Sequence, residues 1–133
     1  MPLSINQALG VFPEALRLES KRSEVLASNI ANADTPGYKA RDLDFKAALN
    51  AAGGQGGQLA LTRTSAAHIE PGGTTGTRQE LLYQVPSQPS LDGNTVDLQR
   101  NQAEFGQTAM RYEATLTFLN GRIQGLRQAI KGQ

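Results

Sequence analysis

Residues 98–130 read LQRNQAEFGQTAMRYEATLTFLNGRIQGLRQAI, and this stretch decides the fold. Leu98, Gln102, Phe105, Ala109, Tyr112, Leu116, Leu119, Ile123, Leu126 and Ile130 follow one another in alternating steps of four and three. Such steps average about 3.5 residues, keep every position on one line of a helix, and describe a coiled-coil seam. Asp92-Gly93 supplies a turn just ahead of it. Asn94 or Thr95 is expected to cap the helix, with Asp97 in the first turn, where a carboxylate suits the positive end of the macrodipole. Gly106, Gly121 and Gly125 each cost about 1 kcal/mol relative to alanine in a helix interior. Gly121 and Gly125 share a face, which either lets a second helix approach closely or marks a frayed end.

A second stripe lies at the other end of the chain. Ile5, Leu9, Phe12, Leu16, Leu26 and Ile30 keep the same alternation apart from a gap, and Glu19 and Ser23 occupy the two stripe positions inside it. The seam there is polar or faces something other than a dry core. Pro13 removes a helix hydrogen bond, so the helix either kinks at it or starts at it with proline in its first turn. The shared phase of Ile5, Leu9, Phe12 and Leu16 favours the kink. The helix is expected to end near Asn32, before Asp34-Thr35-Pro36-Gly37-Tyr38, where Pro and Gly take the central positions of a type II turn.

Three zones follow: an N-terminal helix over residues 1–32, a signature turn and irregular middle over 33–94, and a C-terminal coiled-coil helix over 95–133. The expected fold is mainly α, with two long terminal helices packed as an antiparallel coiled coil around a Gly/Pro-rich middle. Asp44 to Ala52 suits a short helix, and Gly53-Gly54-Gln55-Gly56-Gly57 a loop. Gln58 to Thr64 and Glu80 to Val85 suit two short strands joined through Pro71-Gly72-Gly73-Thr74-Thr75-Gly76 as a β-hairpin.

The composition excludes several functional classes. Thirteen Lys and Arg against twelve Asp and Glu give a net charge of +1, with no basic block to follow a phosphate backbone. With no cysteine and one histidine, a thiolate or imidazole metal centre is out of reach. His68, between Ala67 and Ile69, has no nucleophile or orienting carboxylate placed near it by the sequence. Neither glycine cluster continues into a phosphate-binding motif. The carboxylates Glu14, Glu19, Glu24, Asp34, Asp42 and Asp44 show no acid–base pairing or calcium-loop spacing. No catalytic, cofactor or metal residues are assigned. The N-terminus shows neither the early positive charge nor the apolar run of a cleaved signal, and no run of 18 apolar residues is present. At 38% hydrophobic and 5% aromatic residues, two isolated helices bury too little apolar surface to offset the entropy of ordering them. Neighbouring chains are expected to complete the packing through Leu9, Phe12, Leu16, Leu26, Ile30, Leu98, Phe105, Tyr112, Leu116, Leu119, Ile123, Leu126 and Ile130.

Ser28-Asn29-Ile30-Ala31-Asn32-Ala33-Asp34-Thr35-Pro36-Gly37-Tyr38-Lys39 resembles the signature segment of the flagellar rod, hook and hook-associated axial proteins. Pro89-Ser90-Leu91-Asp92-Gly93-Asn94-Thr95-Val96-Asp97-Leu98 resembles the proximal rod members of that family in particular. The resemblance covers essentially the whole chain, with Pro13 as its one departure. Its signature positions are Ser28, Asn29, Ala31, Asn32, Thr35, Pro36, Gly37, Tyr38, Asp92, Gly93, Asn94, Val96 and Asp97. It implies a non-catalytic rod subunit that transmits torque from the motor ring towards hook and filament. It also implies export by the flagellar type III apparatus without a cleaved signal peptide, and a place beyond the cytoplasmic membrane, periplasmic in a Gram-negative cell. The implied partners are copies of itself, the rod adaptor FliE, the rod protein FlgC, the membrane ring FliF and the export gate. The competing expectation is a soluble helical-hairpin adaptor or export chaperone.

Overall fold

The N-terminal stripe folds as two helices. In the computed structural model, which describes residues 5–53 and 81–132, α1 spans Ile5–Leu9 and α2 spans Phe12–Ala31. The favoured kink at Pro13 is thereby corrected to a break just before it. Gly10 stops α1 with a φ of 65°, and Pro13 sits in the first turn of α2, where its missing N–H costs no hydrogen bond. The other elements are β1 (Arg41–Leu43), α3 (Phe45–Ala52), β2 (Leu81–Tyr83) and α4 (Leu98–Lys131).

α2 and α4 form an antiparallel pair, the main packing of the molecule. Asn29 meets Asn101, Arg22 meets Glu104, and Glu19 meets Thr115. Farther out Phe12 stacks on Phe118 at 6.2 Å, and the Ala8 carbonyl accepts from Arg122 at 2.9 Å. At 1.5 Å per residue α4 runs for about 50 Å.

The line of contact is not the apolar seam read along α4. Among the described residues of α4 only Asn101 and Thr108 are buried. Leu98, Phe105, Tyr112, Leu116 and Ile123 are each 37–42% exposed, and Ile130 is 85% exposed; Leu119 and Leu126 are half-buried. Asn101, Glu104, Thr108, Thr115 and Arg122 mark the line that faces α2, about one residue step round the helix from the seam. α2 is turned in the same sense: Ala15, Leu18, Glu19, Leu26 and Asn29 are buried, while Phe12, Leu16 and Ile30 are half-buried, as is Leu9 in α1. Within the single chain Leu26 is fully buried, and the other residues expected to pack against neighbouring chains keep part of their surface uncovered. Polar side chains set the helix rotation, because Asn29 and Arg22 are tied to β1 as well as to α4.

β1 and β2 pair antiparallel with Arg41 opposite Tyr83, Asp42 opposite Leu82 and Leu43 opposite Leu81. β2 lies within the second expected strand, but its partner is β1, a segment read as irregular from the sequence. The expected strand at 58–64 lies outside the described residues, as do His68 and the turn at 71–76. α3 falls where a short helix was expected: the Asp44 carboxylate accepts from the Ala47 N–H at 2.9 Å, and Phe45, Ala48, Leu49 and Ala52 form its half-buried face. This helix packs on α2, and the small core comprises Ala15, Leu18, Leu26, Ala40 and Leu43.

Candidate assembly site

A helix end leaves carbonyls without partners, and the end of α2 meets that need with side chains drawn from two distant segments. The Asn94 amide donates to the carbonyls of Asn32, Ala33 and Thr35 at 3.0, 2.9 and 2.8 Å, while its own oxygen accepts from the Val96 N–H at 2.7 Å. Asn32 donates to the Ser28 carbonyl and accepts from the Thr35 hydroxyl. The Tyr38 N–H donates to the Thr35 carbonyl at 3.2 Å across Pro36-Gly37, with a Gly37 φ of 72°, the left-handed value a type II turn demands at this position.

Beyond that turn the chain is zipped to residues 92–95. The Gly37 N–H donates to the Asp92 carbonyl, the Thr95 N–H to the Tyr38 carbonyl, and the Ala40 N–H to the Thr95 hydroxyl. Lys39 Nζ donates to the Gly93 carbonyl at 2.6 Å. Asn94 and Thr95 are thus committed to this junction, which corrects their expected role as caps of α4. Asp97 is the N-cap instead, its carboxylate accepting from the Arg100 N–H at 3.1 Å. The Asp92 carboxylate accepts from the Ser90 hydroxyl and then from the Asn94 N–H, and these bonds hold its pKa below the ordinary value.

One turn inward, the fully buried Asn29 acts as a template for β1. Its oxygen accepts from the Arg41 N–H at 3.1 Å, and its amide donates to the Arg41 carbonyl at 2.6 Å and to Asn101 Oδ1 at 2.8 Å. Asn101 in turn donates to the Asp97 carbonyl. The next layer is ionic. Arg22 grips Asp42 with two bonds of 3.0 and 2.9 Å and Glu104 with one of 3.0 Å; Glu104 also accepts from Arg100. The carboxylates hold the Arg22 proton more firmly than usual, Asp42 contributing most through its hydrogen bond. Glu19 comes next: it accepts from the Thr115 hydroxyl at 3.2 Å, and burial raises its pKa.

Ser28, Asn29, Asn32, Thr35, Pro36, Gly37 and Tyr38 meet Asp92, Gly93, Asn94 and Asp97 at this junction. Tyr38 reaches it through contacts to Ser28 and, at 3.5 Å, Asn29. Val96 is half-buried and takes part by its backbone N–H, while Ala31 is exposed. Arg22, Asp42, Asn101, Glu104, Thr108 and Thr115 were not singled out from the sequence. Their signal was present in spacing: Asn101, Glu104, Thr108 and Thr115 recur at helical steps one position ahead of the apolar seam.

The seam residues form a second feature. Equal rotation of two antiparallel helices brings both stripes to the same flank, and there Leu16, Ser20, Ser23 and Ala27 of α2 line an open groove with Tyr112 of α4. β1 packs on α2 and is tied to the helix contact line by the Arg22–Asp42–Glu104 cluster. Among the described residues no group of three His, Cys, Asp or Glu side chains is placed to hold a metal ion, and no helix is long and apolar enough to cross a membrane.

The family model described as flagella basal body rod protein matches residues 13–39, the stretch from the first turn of α2 to the signature turn. The chain is 44% identical over 132 residues to the flagellar basal body rod protein FlgB of Salmonella typhimurium, covering 96% of each. It is 50% identical over 125 residues to the FlgB of a Cereibacter sphaeroides strain, covering 94% of each. To the FlgB of Escherichia coli K12 it is 44% identical over 131 residues, covering 96% of this chain and 95% of the relative.

Proposed function

This chain belongs to the FlgB family of flagellar basal body rod proteins, and from that premise we propose that it is a structural, non-catalytic subunit of the rod of the bacterial flagellum, self-assembling through its terminal helices. The observation that carries the reading is the bare flank. Leu98, Phe105, Tyr112, Leu116 and Ile123 stand partly in solvent, Tyr112 beside a groove in which Leu16, Ser20, Ser23 and Ala27 alternate with the charged Arg17, Lys21 and Glu24. Side chains of this size favour burial by about 2 kcal/mol each, and a neighbouring chain laid along this row would bury the remainder. The junction supports the same role by holding α2 and α4 at one end, so that a load taken up by one helix passes to the other. As a rod subunit the chain transmits torque from the motor ring towards hook and filament. It sits in the basal body beyond the cytoplasmic membrane, in the periplasm of a Gram-negative cell, exported without a cleaved signal. Its neighbours are further copies of itself, FliE, FlgC, and FliF with the export gate.

Leu116→Asp tests this reading, because it places a charge in the row without touching the contact line to α2. The variant is expected to be made at normal levels, to be missing from purified basal bodies, and to abolish swimming. Gln128→Asp, off the row, is the control and is expected to swim. Normal motility and incorporation of Leu116→Asp would overturn the proposal, as would recovery of the native chain only from the cytosol.

A further inference from the structure

Glu19 is the one ionisable side chain that α2 commits to the α4 contact without an ionic partner in reach. It is 4% exposed. One carboxylate oxygen accepts from the Thr115 hydroxyl at 3.2 Å; the other is buried and has no hydrogen-bond partner among the described residues. A buried carboxylate oxygen left unpaired is costly when charged and far less so when the acid is neutral. The surrounding charges do not remove that cost. Arg111, one turn from Thr115 on α4, is exposed and attracts Glu19 only from a distance. Arg22, one turn along α2, is already bound by Asp42 of β1 and Glu104 of α4. α3, which also packs on α2, turns an apolar face inward and leaves Lys46 exposed.

We propose that Glu19 is an acid-closed latch in the α2–α4 pair: the pair is tightest when this carboxyl carries its proton and loosens when the proton leaves. Neutral Glu19 keeps its bond to Thr115 and buries no net charge. Ionised Glu19 strands a charged oxygen midway along the helix contact, between the ionic layer at Arg22 and the Phe12–Phe118 stack. Because the folded pair binds this proton more tightly than the unfolded chain does, the stability it supplies is complete below the ordinary glutamate range. That stability is lost as pH rises through the raised value. The latch is separate from the bare flank: Thr115 lies on the contact line and not in the seam row.

Two measurements on the full-length chain test it. Titration of carboxyl-labelled glutamates by NMR is expected to show Glu19 losing its proton above the ordinary glutamate range. Thr115→Val is expected to move Glu19 higher still, since it removes the one bond that favours the anion. Urea unfolding is expected to show the wild-type midpoint falling relative to that of Glu19→Gln as pH rises from acid to neutral. Glu19 titrating within the ordinary glutamate range would overturn the proposal, as would equal pH slopes for wild type and Glu19→Gln. Should Glu19→Gln fail to fold, the wild-type titration decides the matter alone.

Discussion

Around Asn94 a single side chain satisfies three carbonyls and an N–H, whereas from Leu116 to Ile130 the large apolar side chains of α4 stand partly or mostly in solvent. The first region is finished within one chain: its backbone ends, strand and helix caps are all bound by residues drawn from both halves of the sequence. The second is unfinished, and it is unfinished along one flank. The contrast separates two tasks. The junction fixes how the helices are joined and rotated, and the bare row is left for whatever completes the wall. A polar contact line suits that division, because hydrogen bonds impose register with little surplus stability, and the apolar surface is kept for association.

The sharpest way to break the comparison is at Asn94. Asn94→Ala strands the Ala33 carbonyl and leaves those of Asn32 and Thr35 with one backbone donor each, and a loss of about 2 kcal/mol is expected, since a buried unsatisfied group costs about 1–3 kcal/mol. Urea unfolding measures the loss, and hydrogen exchange should show it concentrated in the last turn of α2. A loss below about 1 kcal/mol would mean that the junction is not self-sufficient. Gly37→Ala comes next. Its added methyl meets nothing within 4 Å, so the expected loss of about 1–2 kcal/mol is the left-handed backbone penalty alone; a thermal melt that does not move would remove the turn from the account. The smallest effect is expected in the bare row. Leu116→Asp should change the stability of the isolated chain by no more than about 0.5 kcal/mol, while abolishing incorporation. A large loss in the isolated chain would show that the row is buried within one molecule after all.

How much of this was legible follows from what each residue needs. The two helices were, because apolar steps of three and four need no partner to be recognised. Their faces were not. Leu98, Phe105, Tyr112, Leu116 and Ile123 name a seam, but the sequence does not say whether the same chain or another buries it. The signature segment was legible as a unit, and so was the type II turn at Pro36-Gly37. The pairing of Asn94 with the end of α2 spans some sixty residues and has no local signal. β1 was missed for the same reason: Arg41-Asp42-Leu43 becomes a strand because Asn29 and Tyr83 hold its two sides.

By itself, then, the sequence determined the helical ends, the turn after α2, the lack of any cysteine or of a second histidine, and the family. Each depends on residues near one another in the chain or on composition. The break at Gly10 is local, an alternative the sequence offered at Pro13, whereas only the tertiary structure decided the cap at Asp97, the strand partner of β2 and the rotation of both helices. These are settled by hydrogen bonds between distant residues, which outweigh local preference wherever a buried polar group has one partner it can reach.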